Sequence, residues 1–472
     1  MGDIEVARLD GGRETIGDRE LEFLATEVGP VLQAGDAGWD EAILIWNGMV
    51  ARQPALVVQP STAAGVAAAV RFAADRGLLL SVKGGGHNVA GTSLAAGGLT
   101  LELSRMRDVT VDVDARLANV GGGCLLRHVD AATQEHGLAA VLGFVSETGV
   151  AGLTLGGGFG YLTRRYGWTI DNLVEVEIVT ADGQVRTASR DQHDDLFWAL
   201  RGGGGNFGIA TRFTFKLYEV GPMITGGLIA WSAEHADELL PMYRDFSAAA
   251  PRELTTALTW RLAPPAPFLP PEWHGKPIIG VVACHTGANA AADLAPLRSF
   301  GQPIADVIME KPYAAQQAML DATQPKGAHY YWKSEFVPGL SDGFLDAYRA
   351  GASAVTSPMS QSVLFHLEGA LSEHDAHDGA MGNREAGFVC AFAGSWPAAD
   401  DRAPAHTAWA RQSWQGIRPF SVGNYVNFQV AEEDAGRTAD AYGVNFERLR
   451  QVKAAYDPHN LFRVNRNIAP VA

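Results

Sequence analysis

Residues 55–88 read ALVVQPSTAAGVAAAVRFAADRGLLLSVKGGGHN, and the order of elements in this stretch sets the architecture of the N-terminal half. Ala55–Gln59 is apolar and β-prone, and Pro60 closes it as a short buried strand. Ser61 and Thr62 are helix N-cap residues, after which Val66, Val70 and Ala73 fall on one helical face. Gly77 ends the helix, and Leu78–Val82 supplies a second strand, completing a βαβ unit. That strand runs straight into Lys83-Gly84-Gly85-Gly86-His87-Asn88, a loop richer in glycine than packing requires.

Outward from this unit, strands are expected at 99–103, 109–113, 118–120 and 171–180, and a helix at 194–201. Another strand is expected at 209–218, with Arg212, Thr214 and Lys216 alternating outward. Residues 1–220 therefore form one α+β unit. Past 220 the texture changes. Helical segments at 233–249 and 340–353 alternate with strands at 224–231, 277–284, 361–368 and 387–395, giving a second α+β domain over 221–422. The segment 423–472, rich in Asn and Arg, differs again.

Bulk properties narrow the class. A chain of 472 residues exceeds what one hydrophobic core supports, and 47% apolar with 19% charged residues is globular composition. A formal charge of −16 argues against nucleic acid or an anionic membrane as partner. Residues 1–19 lack the apolar core of a signal peptide, and no apolar run approaches the ~20 residues that span a bilayer. The three cysteines, Cys124, Cys284 and Cys390, lack metal-ligand or disulfide spacing. A cytoplasmic protein without a metal, monomeric or homodimeric, is expected.

Three glycine clusters remain, at 84–86, 156–160 and 202–208. Gly203–Gly208 matches G-x-G-x-x-G, but a dinucleotide fold needs a strand before it and a helix after it. Here the order is reversed, which excludes that reading. Runs of glycine also let backbone N–H groups converge on an anion. Loops at 84–88 and 152–160 are thus placed to clasp a pyrophosphate, or are simply tight turns. His87, at the end of three glycines, has an imidazole free to approach a flat ligand and nucleophilic near neutral pH.

The segment Val82–Asn88 with Gly91-Thr92-Ser93 and Leu99–Met106 resembles the flavin-attachment region of FAD-linked oxidases. The resemblance continues through Gly149–Tyr166, Asp171-Asn172, Asp195–Gly208, Tyr425-Val426-Asn427 and Tyr456–Phe462. More narrowly it is to the bacterial branch of the berberine-bridge-enzyme-like oxidases, in the vanillyl-alcohol-oxidase superfamily. The resemblance implies a two-domain α+β flavoprotein. Its FAD-binding domain (PCMH-type) would be built from residues 1–220 and 423–472, with an antiparallel-sheet substrate domain inserted between. It implies FAD bonded to His87. Lys83, Gly84, Gly85, Gly86, Asn88, Gly91 and Thr92 would surround it from one side. Thr148, Gly149, Gly152, Gly156, Gly157, Gly158, Gly160 and Tyr161 would do so from a second loop. Asn206, Gly208, Ile209, Asn427 and Asn465 complete the implied cofactor set, with Arg466 near the flavin ring. Many family members add a second, cysteinyl link; Val145 stands at that position, so a link through His87 only is expected.

For the chemistry, Tyr425 resembles the family's active-site tyrosine and is the first candidate base. His366 and Glu368, two apart on an expected strand, share one side of it; if that side meets the flavin, Glu368 is a second candidate. Trp332 and Tyr330 are candidates for an apolar wall. The expected reaction is hydride transfer from a CH–OH or CH–N group of a small organic substrate to FAD, with O2 as the acceptor that forms H2O2. A dehydrogenase using a quinone, or a flavin carrier with a decayed substrate site, are the alternatives.

Overall fold

The computed structural model describes residues 3–433 and 435–471. The βαβ unit forms as its sequence dictates. The strand Leu56–Val58 leads to the helix Ala63–Arg76, where the Thr62 hydroxyl accepts from the Gly65 N–H at 3.1 Å. Gly77, at φ 59°, provides the left-handed exit. The strand Leu80–Lys83 follows, yet it does not pair with Leu56–Val58. Both run parallel to Leu99–Glu102, which lies between them. The crossover helix thus spans one intervening strand, a spacing that local turn chemistry does not encode.

A five-stranded antiparallel sheet follows in the order Val185–Ser189, Leu173–Val179, Ile209–Lys216, Leu117–Gly121, Val109–Asp112. In its central strand Arg212 and Lys216 are exposed, but Thr214 between them is buried and donates to Asn119 Oδ1 at 2.8 Å. Thr214 thus keeps the outward face of Arg212 and Lys216 but is covered there by its neighbours, its hydroxyl satisfied by the exposed Asn119 opposite it.

Residues 223–396 build an eight-stranded antiparallel sheet. Two of its long strands, Leu254–Leu262 and His329–Val337, have mostly buried residues on both faces and so lack the polar alternation that marks a strand in sequence. Three helices, Ala236–Ala249, Asp342–Ser353 and Ala403–Ile417, cover one face around Leu258, Leu364 and Phe392. The opposite face, with Ala257, Val363, Phe365, Val389 and Ala391, packs against Phe159, Trp168 and Ile170 of the N-terminal half.

The tail returns to the N-terminal cores. Leu449, Val452 and Ile468 join the core of the five-stranded sheet, and Leu461 and Phe462 that of the parallel strands Leu56–Val58, Leu99–Glu102 and Leu80–Lys83. Lys453, fully buried, donates to Asp457, to the Asn206 carbonyl and to the Phe462 carbonyl at 2.6–2.9 Å. Asp457 in turn accepts from the N–H groups of Leu461 and Phe462. A buried pair satisfied on every side holds its segments firmly, since removing one partner would strand a charge. Among the described residues, no helix is long and apolar enough to cross a membrane.

Candidate active site

A large cleft opens between the sheet face and the N-terminal half, enclosing about 1960 Å³ of space with its mouth included. One wall is backbone. Gly84–Asn88, Gly149–Gly152, Gly204–Asn206 and Gly208–Ala210 line it, with Phe462 and Val464–Arg466 from the tail. The first two loops touch: a Cβ on Gly85 would lie 2.4 Å from the Gly149 nitrogen, and a Cβ on Gly149 would meet Gly85 as closely. Only two glycines allow this approach.

His87 sits where these loops meet. Its ring stacks on Trp46 at 4.4 Å, and Trp46 is backed in turn by Tyr330 at 3.6 Å, so the imidazole lies flat against one braced indole. Its Nε2 is enclosed and has no hydrogen-bond partner. Burial pushes the imidazole down to about 4. The neutral ring, with a free lone pair, is therefore the form present near pH 7.

Tyr425, buried, reaches the cleft from the segment that follows the sheet. Its Oη accepts from the Gly158 N–H at 3.2 Å and from Asn427 Nδ2 at 2.9 Å. Burial pushes the phenol up to about 12, and those two donors pull the other way. Both bonds stabilise negative charge on the oxygen. Asn206 is consumed in organising its loop, donating to the Gly203 and Arg466 carbonyls and accepting from the Ile468 N–H. Arg466 donates to the carbonyls of Gln429 and Val430, leaving its Nε enclosed and unpartnered.

Of the expected cofactor residues, the cleft brings together Gly84, Gly85, Gly86, His87, Asn88, Thr92, Thr148, Gly149, Gly152, Asn206, Gly208, Ile209, Asn427 and Asn465. Others require correction. Lys83 points away from the cleft, buried against Glu102 at 3.6 Å, because it alternates with Val82 on its strand. Gly91 turns the chain against Val50. Gly156, Gly157, Gly158 and Gly160 lie behind the wall, where a Cβ would strike Asn427, Met381, Thr169 and the Leu142 carbonyl respectively, each within 2.4 Å. Tyr161 packs there too, edge-on to Phe144.

His366 and Glu368 are the larger correction. The strand Gln361–His366 turns Gln361, Val363 and Phe365 to the cleft, so His366 faces the helices and stacks on Phe388 at 4.9 Å. Glu368 lies beyond the strand's end at φ 56° and bonds His366 Nε2 at 2.9 Å. Parity removes His366 from the site, and the end of the strand before residue 367 removes Glu368. Sequence reasoning missed Trp46, Phe144, Gln324, Gln361 and Phe428, all at the cleft wall. For Gln361, Val363 and Phe365 the signal was the same alternation, read one residue out of phase.

The donor set fits a flavin dinucleotide: glycine backbone for a pyrophosphate, one guanidinium lacking a direct carboxylate partner, and an orphaned imidazole nitrogen. Residues 54–189 match the model of an FAD-binding domain and residues 424–469 that of a berberine and berberine-like segment. The chain belongs to the berberine-bridge-enzyme-like family of FAD-linked oxidoreductases. It is 31% identical over 454 residues to the (R)-6-hydroxynicotine oxidase of Paenarthrobacter nicotinovorans, covering 94% of this chain and 97% of that one. The crystal structure of 6-hydroxy-D-nicotine oxidase from Arthrobacter nicotinovorans superposes with a TM-score of 0.82 at 28% identity, over 94% of this chain and 98% of that one. The glucooligosaccharide oxidase of Acremonium strictum, whose FAD is 6-S-cysteinyl and 8α-N1-histidyl, shares the fold at TM-score 0.81 and 24% identity, over 94% and 97% of the two chains.

Proposed function

We propose that this oxidoreductase is an oxidase carrying FAD covalently on His87 alone, acting on a CH–OH or CH–N group of a small organic molecule. The observation that carries the reading is the His87 imidazole, neutral, stacked and with Nε2 unpartnered at the junction of two glycine loops. Bound FAD would supply the two-electron acceptor, taking hydride from the substrate carbon and passing electrons to O2 to give H2O2. Gly84–Asn88, Gly149–Gly152 and the Asn206 loop would hold it, with the Arg466 guanidinium as nearby positive charge. Val145, at the wall, carries no nucleophile for a second link.

Tyr425 would manage the substrate proton. Its oxygen already accepts two hydrogen bonds, so charge developing on Oη during proton transfer is met by groups in place. Residues 1–220 and 423–472 would form the FAD-binding domain and 221–422 the substrate domain, consistent with the tail packing into the N-terminal cores. A cytoplasmic location accords with three buried free cysteines.

The test is acid precipitation of the purified yellow protein. Flavin retained in the pellet, and released from the His87→Ala variant, is the expected outcome. Colour appearing wholly in the wild-type supernatant overturns the covalent assignment. Photoreduced enzyme reoxidised by O2 with stoichiometric H2O2 supports the oxidase; reoxidation only by quinones refutes it.

A further inference from the structure

Behind the loop wall lies a buried acid that the proposed chemistry leaves unused. The helix Leu126–Gln134 braces that wall: its Leu126 and Arg127 N–H groups donate to the Thr148 and Ser146 carbonyls at 2.9 and 3.0 Å. One turn further along, Asp130 is buried, and Gln317 Nε2 donates both to its Oδ2 at 3.4 Å and to the Gly143 carbonyl at 3.2 Å. Gly143 lines the cleft, so the carboxyl stands two hydrogen bonds from the space a cofactor would fill.

Its surroundings are rich in oxygen and short of hydrogen. Tyr313, Gln316 and Gln317, at i, i+3 and i+4 of the short helix Tyr313–Gln317, share a face. Tyr161 faces Gln316 and Tyr313. Five enclosed oxygens here, Asp130 Oδ1, Tyr161 Oη, Tyr313 Oη, Gln316 Oε1 and Gln317 Oε1, have no partner among the described residues. The two amide nitrogens are spent on the Ala283 and Gly143 carbonyls and on Asp130 Oδ2. That leaves two phenolic hydrogens and whatever proton Asp130 itself holds. The charged group that reaches Asp130 is Asp321, of like sign. On Asp130's own helix Arg127 turns to Glu147, and His128 Nδ1 accepts from the Leu125 N–H. Cys284, beside Tyr313, has Lys311 as its own cation. Burial raises the Asp130 carboxyl to about 7, so it exchanges its proton near neutral pH.

We propose that Asp130 is a proton store for the redox cycle of this cleft, gaining a proton when the cleft takes up electrons and returning it when they pass to O2. The inference rests on the oxidase reading above. Hydride transfer adds a negative charge to the cleft and frees the proton of the substrate's O–H or N–H. Making H2O2 from O2 then takes both electrons, the hydrogen that came with the hydride, and one further proton. The proton released in one half-reaction is thus the one required in the next. Negative charge in the cleft favours the neutral acid. A unit charge ~10 Å away, in a medium of effective dielectric ~20, moves the midpoint of such a group up by about one pH unit.

Electrochemical reduction of the flavin-loaded enzyme in weak buffer, with protons counted by an indicator dye, tests this. At pH ~7.5 the wild type should take up about half a proton more per flavin than Asp130→Asn, an excess that vanishes at pH ~5 and pH ~10. Infrared difference spectra, reduced minus oxidised, should show a protonated-carboxyl C=O band that grows in the wild type and is absent from the variant. Asp130→Asn keeps the side-chain volume, and flavin absorbance and thermal midpoint report that it is folded. Should the variant not fold, the wild-type band decides alone. Equal proton uptake by the two proteins at every pH, or a carboxyl band that reduction leaves unchanged, overturns the store, because a merely structural acid does not follow the charge in the cleft. The oxidase reading fails by different signs: no flavin absorbance, or reduced enzyme that O2 does not reoxidise.

Discussion

The two walls of the cleft are built on opposite principles. The loop wall works through backbone, and its identity lies in residues that have no side chain. The sheet wall works through side chains on a regular scaffold, and its identity lies in which of two faces each residue takes. A wall of the first kind is unforgiving where its loops touch, since a Cβ on Gly85, Gly149 or Gly208 would collide with backbone, although Gly152 and Gly205 leave room for one. A wall of the second kind keeps its fold while its contents change, so cofactor binding and substrate choice are separable in this chain.

The sharpest way to break that contrast is to put a side chain into the loop wall. Gly149→Leu, whose Cβ would fall 2.4 Å from the Gly85 nitrogen, should yield protein without flavin absorbance. A normally loaded variant would mean that the two loops need not touch. Next in size is Tyr425→Phe. It removes the proton-handling oxygen and should cut kcat by about 10²–10⁴ with flavin content unchanged, as stopped-flow reduction would record. A rate within a few-fold of wild type would make the tyrosine a packing residue.

Smaller, and behind the loop wall, is a pH effect. Asp130 is buried, its Oδ1 has no partner, and Gln317 links it to the Gly143 carbonyl at the cleft. Burial raises its carboxyl to about 7. Between pH ~4, where the unfolded chain's carboxyl ionises, and about 7, the native state holds a proton that the unfolded state releases. Stability should therefore fall as pH rises through that window, by on the order of 2–4 kcal/mol in all. Asp130→Asn should be flatter there and more stable than wild type at pH 8. A variant melting curve that tracks the wild type at every pH would sink this account. The smallest effect belongs to Glu368→Gln, which should leave kcat within about twofold, since the carboxylate sits off the cleft with His366. A loss comparable to that of Tyr425→Phe would return Glu368 to the site.

The same contrast explains what the sequence disclosed. The βαβ unit, its Thr62 cap and the Gly77 exit were readable because each depends on a residue's own backbone preferences. So was the inverted helix–strand order around Gly203–Gly208, which excluded a dinucleotide fold. Lys83 and His366 were misplaced because period two fixes which residues share a face but not which face meets the ligand, and Glu368 because the strand ends before it. Gly156–Gly160 looked like a cradle because glycine marks any close approach, whether to a phosphate or to Asn427 and Met381. For Gln361 the alternation gave the face, but how its amide turns depends on Arg261 of the neighbouring strand.

One consequence follows from the tail. Phe462 and Val464–Arg466 form part of the cleft, and Lys453 and Asp457 lock them against the Asn206 loop. During synthesis, His87 and both glycine loops emerge from the ribosome hundreds of residues before the wall that completes their pocket. The cofactor's seat therefore comes into being only once residues 453–466 have been made. Chains cut short before residue 453 should leave the ribosome colourless, which couples flavin loading to the synthesis of this segment.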